Sequence, residues 1–148
     1  MIKKRSAGII VFYRQKKSIS YLLLHHGGDY WNFPKGTQED GENDLSTALR
    51  ELEEETGIEK IKLVDGFQGE INYDFNVKIK GGVKEKIYKE VIFFLGEADS
   101  QKIKISKEHL DFGWFDYQTA AKRLFYQQGQ DLLKKAHQFL LKQQDFVL

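Results

Sequence analysis

Three glutamates that lie close together in the sequence are the residues best suited to chemistry. Glu51, Glu54 and Glu55 stand at positions i, i+3 and i+4, so a helix would bring their side chains to one face. Like charges at this spacing each destabilise a helix by about 0.2–0.5 kcal/mol, and the negative end of the helix dipole disfavours them further. A divalent cation that prefers oxygen ligands, such as magnesium, would compensate for this cost. The pattern therefore indicates a metal-binding cluster of carboxylates.

The residues around these glutamates predict the helix that positions them. Its buried side is marked by apolar residues at helical spacing, namely Leu45, Ala48, Leu49 and Leu52. Gly57 suits the left-handed conformation just beyond a helix end. A solvent-exposed face is the commoner explanation of a glutamate-rich helix. The apolar stripe nevertheless groups the glutamates on the flank beside the core, and this placement favours a shared site.

Residues 36–58 resemble the Nudix box, the signature of the Nudix hydrolase family. Nine specified positions are filled across 23 residues, with two long spacers of the expected length. The matching residues are Gly36, Glu42, Arg50, Glu51, Leu52, Glu54, Glu55, Gly57 and Ile58. The resemblance implies a magnesium-dependent hydrolase that cleaves a nucleoside diphosphate linked to another moiety, built on an α/β/α sandwich.

By this resemblance, most catalytic and metal-binding residues lie within the box. Glu51, Glu54 and Glu55 are expected to bind one to three magnesium ions, with manganese as an alternative, together with Gly36. Arg50 is expected to hold a neighbouring carboxylate in place through its planar guanidinium group. The resemblance leaves open whether one of these glutamates or a loop carboxylate outside the box is the general base.

A further carboxylate is expected from the loop before the last strand. Glu108, within residues 106–109, is the candidate for an additional catalytic group and metal ligand, because family members often supply one from such a loop and loops commonly carry function. A surface glutamate is the alternative. We interpret the adjacent His109 as structural.

Within the superfamily, the chain most resembles the asymmetrical diadenosine tetraphosphate hydrolases, which split diadenosine tetraphosphate into ATP and AMP. The similar stretches are residues 7–10, 31–36, 44–45, 48–51, 70–73, 106, 108–109, 114 and 137–140. The resemblance implies that Tyr73 and Tyr126 clamp an adenine, since stacking contributes about 1–3 kcal/mol per base. Packing on the sheet is the other explanation of Tyr73. Lys35 is a candidate for a phosphate contact, and so are Lys84, Lys86 and Lys89 on the second hairpin, although solvation is the commoner role of hairpin lysines.

Other functions stay open at the level of the sequence. One alternative is a Nudix pyrophosphohydrolase that acts on RNA 5′-triphosphate ends, nucleoside triphosphates or diphosphoinositol polyphosphates. RNA ends would favour a basic groove, which the balance of 23 basic against 22 acidic residues does not support. A non-catalytic nucleotide-binding Nudix module is a different class. Such modules typically lose a box carboxylate, whereas this chain keeps all of them.

The composition predicts one globular domain over residues 1–148. The chain is 41% hydrophobic, enough for a substantial core, and it has no cysteine, which excludes disulfides and fits a reducing compartment. Its basic N-terminus lacks a cleavage site, and no apolar run reaches the roughly 18 residues of a membrane span. We expect a cytoplasmic protein, a monomer or weak homodimer, that acts on a dinucleoside polyphosphate or another small nucleotide without membrane or obligatory nucleic-acid partners.

The elements that must position these residues alternate between strands and helices. Strands are predicted at residues 6–13, 20–25, 60–64, 67–79, 86–97 and 111–115, and further helices at residues 119–124 and 131–141. The first two strands are expected to be antiparallel, Gly81-Gly82 predicts the turn of a second hairpin, and residues 91–95 predict a strand covered on both faces. The order predicts an α/β (α+β) fold. The resemblance specifies the Nudix fold, with a mixed central sheet and an additional antiparallel hairpin.

Overall fold

Eight strands and three helices form residues 1–145, the part of the chain that the computed structural model describes. The strands are β1 (Ile2–Gln15), β2 (Ser18–Gly27), β3 (Tyr30–Asn32), β4 (Lys35–Thr37), β5 (Lys62–Leu63), β6 (Gly69–Lys78), β7 (Lys84–Glu97) and β8 (Asp111–Asp116). The helices are α1 (Asp44–Thr56), α2 (Tyr117–Arg123) and α3 (Gln127–Asp145). All the strands belong to one sheet.

The sheet is organised around β1, which pairs in parallel with β7 and antiparallel with β2 and β4. Strands β1 and β2 pair only close to their connecting turn, through residues 12–15 and 18–21. Beyond that point β4 pairs with β1 and β3 pairs with β2, so the β3–β4 segment fills the space between them. The amide of Ile9 donates to the Pro34 carbonyl at 3.1 Å and fixes this segment. Lys35 and Gly36 are thereby carried to the middle of the sheet.

Helices cover both faces of the sheet. On one face, Ala48 and Leu52 of α1 pack against a buried cluster that includes Ile9 and Val11 of β1. On the other face, α2 and α3 pack against a second cluster, with Leu133 and other residues of α3 buried beside the sheet. Burying a leucine or valine side chain contributes roughly 1.5–3 kcal/mol, so both layers are held mainly by apolar contact. The result is the α/β/α sandwich that the sequence predicts.

Local signals fix both ends of α1. The Asn43 side chain accepts a hydrogen bond from the Ser46 amide at 2.8 Å, and the Asn43 amide donates to Ser46 Oγ at 3.0 Å. This reciprocal cap satisfies amides that the helix cannot pair internally. At the other end, Gly57 has the predicted left-handed conformation, with φ of 76°, and its amide bonds the Glu53 carbonyl. The helix therefore ends directly after the three glutamates.

The predicted fold class is confirmed, and the differences lie in short or terminal elements. The first hairpin, the second hairpin and the strand covered on both faces are present, but β1 begins four residues earlier than predicted and α3 also extends further. Strands β3 and β4 were not predicted, because each has three residues and depends on pairing with β1 or β2. Neither α3 nor any shorter helix within residues 1–145 has the length and apolar character that a membrane crossing requires.

Candidate active site

Arg50 is the centre of a network of charged hydrogen bonds at the surface of α1. Its Nε and NH2 groups donate to the two carboxylate oxygens of Glu42 at 2.6 and 3.0 Å, and NH2 also donates to the Thr37 carbonyl. Its NH1 group donates to Glu51 at 2.9 Å and to Glu54 at 3.2 Å. The Arg50 hydrogen bond is the main reason that the pKa of Glu42 falls to about 2. Glu42 therefore holds Arg50, and Arg50 in turn fixes two glutamates of the box.

Glu55 points away from this network and into the protein. It is only 7% exposed, and its Oε1 accepts a hydrogen bond from the Lys35 amide at 2.8 Å. Its Oε2 lies 3.2 Å from Nε2 of His109, a buried histidine whose Nδ1 lies 3.0 Å from Ser106 Oγ. Burial raises the pKa of Glu55 from 4.5 to about 8, and burial also lowers the pKa of His109. Both shifts disfavour the charged forms, so burial opposes an ion pair between Glu55 and His109.

Glu51 lies directly over the main chain of Gly36. A Cβ atom built on Gly36 would overlap the Glu51 carboxylate, so only glycine leaves room for it in this position. Burial raises the pKa of Glu51 in spite of the hydrogen bond from Arg50. The absent side chain of Gly36 therefore brings a carboxylate and a main-chain peptide into contact.

Glu108 approaches the same region from the loop before β8. It is exposed, and its charge contributes to the raised pKa of both Glu51 and Glu55. Glu54 is exposed as well, at 58% of its side chain. Four carboxylates thus surround the end of α1, from a helix and from a distant loop.

The helical spacing predicts that the carboxylates share one face of α1, and in this structure protein groups donate hydrogen bonds to them. Within residues 1–145, no three acidic or histidine side chains are arranged to hold a metal ion. Each box glutamate is instead satisfied by a protein donor, Arg50 for Glu51 and Glu54 and the Lys35 amide for Glu55. The donor types still fit a hard divalent cation, which takes carboxylate and carbonyl oxygens. The Gly36 main chain and the Glu51 carboxylate, which lie in contact, supply groups of these types.

An apolar pocket lies next to the carboxylates. Its walls come from β3, β4, β6, β7, the residues between α2 and α3, and the start of α3: Trp31, Asn32, Lys35, Ile71, Tyr73, Val91, Phe93, Leu124, Phe125, Tyr126, Gln128 and Gly129. The rings of Tyr73 and Tyr126 face each other at a centroid distance of 6.1 Å and an interplanar angle of 16°. An aromatic base inserted between the two rings would need a ring separation of about 7 Å, which is twice the contact distance between carbon atoms. A small increase in the separation would therefore admit a flat base.

Two of the candidate lysines, Lys35 and Lys89, lie between this pocket and the carboxylates. Lys35 lines the pocket with its side chain and holds Glu55 with its amide. Lys89 lies opposite Tyr73 in the β6–β7 hairpin, on the face that carries Val91 and Phe93. Lys86, three residues away, lies on the other face and pairs with Asp74 at 3.2 Å.

The structure therefore does not bring Lys86 to the pocket, whereas Lys89, another of the candidates, lies near Lys35. Burial and then the charge of Lys89 lower the pKa of Lys35 to about 8, which shows that the two ammonium groups are close. Sequence reasoning missed the contact of His109 with Glu55. Strand alternation from Val91 and Phe93 is the sequence signal that separates Lys89 from Lys86.

Comparisons with known proteins agree with this geometry. Residues 2–136 match the model of the NUDIX domain. The chain belongs to the Nudix family. It is a Nudix hydrolase by this membership, and enzymes of this family generally use divalent metals such as Mg²⁺.

Individual Nudix relatives narrow the similarity further. The chain is 36% identical to the asymmetrical bis(5′-nucleosyl)-tetraphosphatase of Rattus norvegicus, over 92% of this chain and 95% of that protein. It is 27% identical to an RNA pyrophosphohydrolase of Pelagibacter ubique, over 78% of each. Among solved structures, a binary complex of C. elegans Ap4A hydrolase superposes with a TM-score of 0.80 at 25% identity, covering 94% of this chain and 98% of that one.

Proposed function

We propose that this Nudix hydrolase cleaves diadenosine tetraphosphate asymmetrically into ATP and AMP. The observation that carries the proposal is the double role of Lys35. Its side chain lines the aromatic pocket, while its amide holds the carboxylate of Glu55, so a base-binding site and an acidic site adjoin at one residue. A nucleotide seated in the pocket has its phosphates next to the carboxylates. The similarity to the rat tetraphosphatase supports the same substrate.

Adenine binds between Tyr73 and Tyr126 in this proposal. The two rings are already nearly parallel, so the base replaces their mutual contact with a stack on each side. The apolar walls of the pocket exclude water from the faces of the base. The phosphates that leave the pocket meet Lys35 and Lys89, whose ammonium groups repel each other until an anion lies between them.

Carboxylates from α1 and the Glu108 loop hold magnesium, with manganese as an alternative. The protein ligands are the main chain of Gly36 with Glu51, Glu54, Glu55 and Glu108. When bound, the ion neutralises phosphate charge and lowers the pKa of a water molecule. The Glu42–Arg50 pair keeps Glu51 and Glu54 in position through the hydrogen bonds described above. Glu55 is held from two sides, by the Lys35 amide and by His109.

The reaction exchanges one phosphorus–oxygen bond for another. The oxygen of water forms a bond to a phosphorus atom, the bridging oxygen of the anhydride leaves with the other nucleotide, and one of the four carboxylates takes the proton of the water. Effective base catalysis requires a carboxylate within hydrogen-bond reach of that water, and it contributes about 10²–10⁴-fold.

Hydrolysis in oxygen-18 water tests the proposal. The purified protein is incubated with magnesium and diadenosine tetraphosphate. The products are then separated, and their masses are measured by mass spectrometry. We expect equal amounts of ATP and AMP with the heavy oxygen in only one of them, which identifies the phosphorus attacked. A chelator should abolish the reaction. Two molecules of ADP as products, or no cleavage at all, would contradict the proposal.

The same assay decides between this substrate and RNA 5′-triphosphate ends. The Pelagibacter ubique relative supports RNA as the second candidate. Triphosphorylated RNA, nucleoside triphosphates and a diphosphoinositol polyphosphate are therefore compared with diadenosine tetraphosphate by kcat/KM. We expect diadenosine tetraphosphate to exceed each of them. A higher value for RNA, with a steep decrease in added salt, would favour the second candidate instead.

A further inference from the structure

His26 lies between the aromatic pocket and the carboxylates. Its imidazole meets the ring of Tyr30 edge-on at 4.8 Å and the ring of His109 at 4.5 Å, measured between ring centroids. Tyr30 in turn contacts Tyr126 of the pocket at 5.8 Å, and His109 contacts Glu55. A continuous row of side chains therefore runs from the proposed adenine clamp to the acidic site, with His26 in the middle.

Among the three histidines in or beside this row, His26 is the one whose ring nitrogens can bind a ligand. His109 is buried and uses both ring nitrogens, on Ser106 and Glu55. The neighbouring His25 stacks on Trp31 and bonds the Gly28 carbonyl at 2.8 Å. His26 is exposed, and neither of its nitrogens has a hydrogen-bond partner among residues 1–145.

The surroundings of His26 favour an anion. The ring is exposed at its edge but packs against Tyr30 and His109, and the resulting loss of water, with repulsion by His109, Lys35 and His25, lowers its pKa to about 4. The imidazole is therefore neutral at pH 7 and carries one N–H donor. Positive charge on Lys35 and a free N–H group on His26 together attract phosphate oxygens rather than a carbonyl or an ammonium group.

We propose that His26 donates a hydrogen bond to a phosphate oxygen of the bound polyphosphate, between the adenine clamp and the bond that is cleaved. The inference rests on the proposed function, since it names a contact for the substrate of that same site. His26 is then a specificity-determining residue: it recognises a chain long enough to pass it and contributes nothing to a nucleotide that ends within the pocket.

Two substitutions separate the hydrogen bond from the packing of the ring. His26→Phe keeps an aromatic ring against Tyr30 and His109 but removes the N–H donor, whereas His26→Gln keeps a donor and removes the ring. We expect His26→Phe to raise KM for diadenosine tetraphosphate by about 3- to 10-fold, the range of one hydrogen bond, with kcat changed by less than about twofold. We expect His26→Gln to stay within about twofold of the native KM. AMP binding should be the same in all three proteins.

A rise in KM for His26→Gln but not for His26→Phe would overturn the proposal, because it would show that the ring of His26 acts through packing. Equal losses in both variants, no loss in either, or a loss confined to kcat would overturn it as well. Thermal unfolding of each variant is measured beside the kinetics, and a variant that is unfolded at the assay temperature is compared at a lower temperature where it is folded.

A binding measurement keeps this contact separate from the proposed reaction. The chain has four histidines, so their imidazole signals are few enough to follow by NMR in metal-free buffer. Tripolyphosphate should shift the His26 signal, and His26→Phe should weaken tripolyphosphate binding. If the native protein cleaves no dinucleoside polyphosphate, the proposed function fails while this shift still supports a phosphate contact. An unshifted His26 signal at saturating tripolyphosphate would overturn the contact itself.

Discussion

The acidic site and the aromatic pocket adjoin at Lys35, yet they are built in opposite ways. Three of the four site carboxylates come from two turns of α1, and each box glutamate is held by a charged or main-chain donor. The pocket takes its walls from four strands, the link between α2 and α3 and the start of α3, and its contacts are mainly apolar or aromatic. The first region is local and polar, and the second is distant in sequence and apolar. We therefore expect substitutions in the first to change turnover and substitutions in the second to change affinity.

Glu55→Gln should have the largest effect on the acidic side of this comparison. The amide keeps the shape of the side chain and still accepts the Lys35 hydrogen bond, but it cannot take a proton or carry the charge a cation requires. We expect kcat to fall by at least about 100-fold while KM changes little. Steady-state rates with diadenosine tetraphosphate and magnesium measure both values. Glu53→Gln, an exposed glutamate on the same helix, is the matched control. A change in KM alone would remove the distinction between the two regions.

The same variant should change the pH dependence of stability in metal-free buffer. Because burial raises the pKa of Glu55 from 4.5 to about 8, the unfolded chain releases this proton before the folded protein does. Its contribution to stability is then fully present below pH 4.5 and is lost as the pH rises towards 8. We expect Glu55→Gln to unfold at a higher denaturant concentration than the native protein at pH 8 and to lose that advantage at pH 4.5. Parallel curves at all pH values would contradict the buried, protonated state.

Gly36→Ala tests whether the contact between the Gly36 main chain and the Glu51 carboxylate is needed for turnover. The new methyl group would overlap the Glu51 carboxylate, which is the end of a flexible side chain and moves more easily than the backbone. Gly36 is not among the glycines with positive φ, so alanine is compatible with its backbone. We expect the protein to fold with a similar unfolding midpoint and kcat to fall by up to about 100-fold, the cost of a small displacement of a catalytic group. Circular dichroism and steady-state kinetics give the two readings, and native turnover would show that the position of Glu51 is unimportant.

On the pocket side, Tyr126→Ala should change affinity rather than turnover. The tyrosine is half exposed and lies opposite Tyr73, so truncation removes one wall of the proposed clamp without opening the core. We expect KM to rise by about 5- to 100-fold, the equivalent of stacking on one base, with kcat changed much less. Tyr126→Phe keeps the ring and serves as the control. If the alanine variant lost turnover instead, the aromatic pair would belong to the acidic site.

The difference between the two regions also decides what the sequence could predict. Helix α1, the Gly57 that ends it and its glutamates depend on neighbours a few residues away. Those predictions needed only the spacing of residues. A metal ion shared by the glutamates stays a prediction, because in this structure Arg50 and the Lys35 amide, which the spacing did not place, hold their oxygens. Strands β3 and β4 exist only because β1 and β2 diverge. Pairing of this kind has no local signature in the sequence.

Lys89 and Lys86 show how one residue of register decides which side chain reaches the pocket. A two-residue turn at Gly81-Gly82 would pair Tyr73 with Glu90 and place Lys86 on the face of Tyr73. The observed loop is longer, with the Ile79 amide bonded to the Val83 carbonyl at 2.8 Å, and it pairs Tyr73 with Lys89. Every side chain of β7 is thereby exchanged between the two faces.

The register of this hairpin leads to the prediction with the smallest expected effect on KM. It tests which hairpin lysine lies near the pocket. Lys89→Ala removes a half-buried ammonium group next to Lys35, so we expect KM for diadenosine tetraphosphate to rise by about 3- to 10-fold, as for one lost phosphate contact. Lys86→Ala removes an exposed lysine that pairs with Asp74, and we expect a smaller change of less than about twofold. Measuring both at two salt concentrations tests the assignment, because the Lys89 effect should shrink less with added salt than any effect at the exposed Lys86. A larger effect at Lys86 would mean that the hairpin binds substrate in the shifted register, with its other face towards the phosphates.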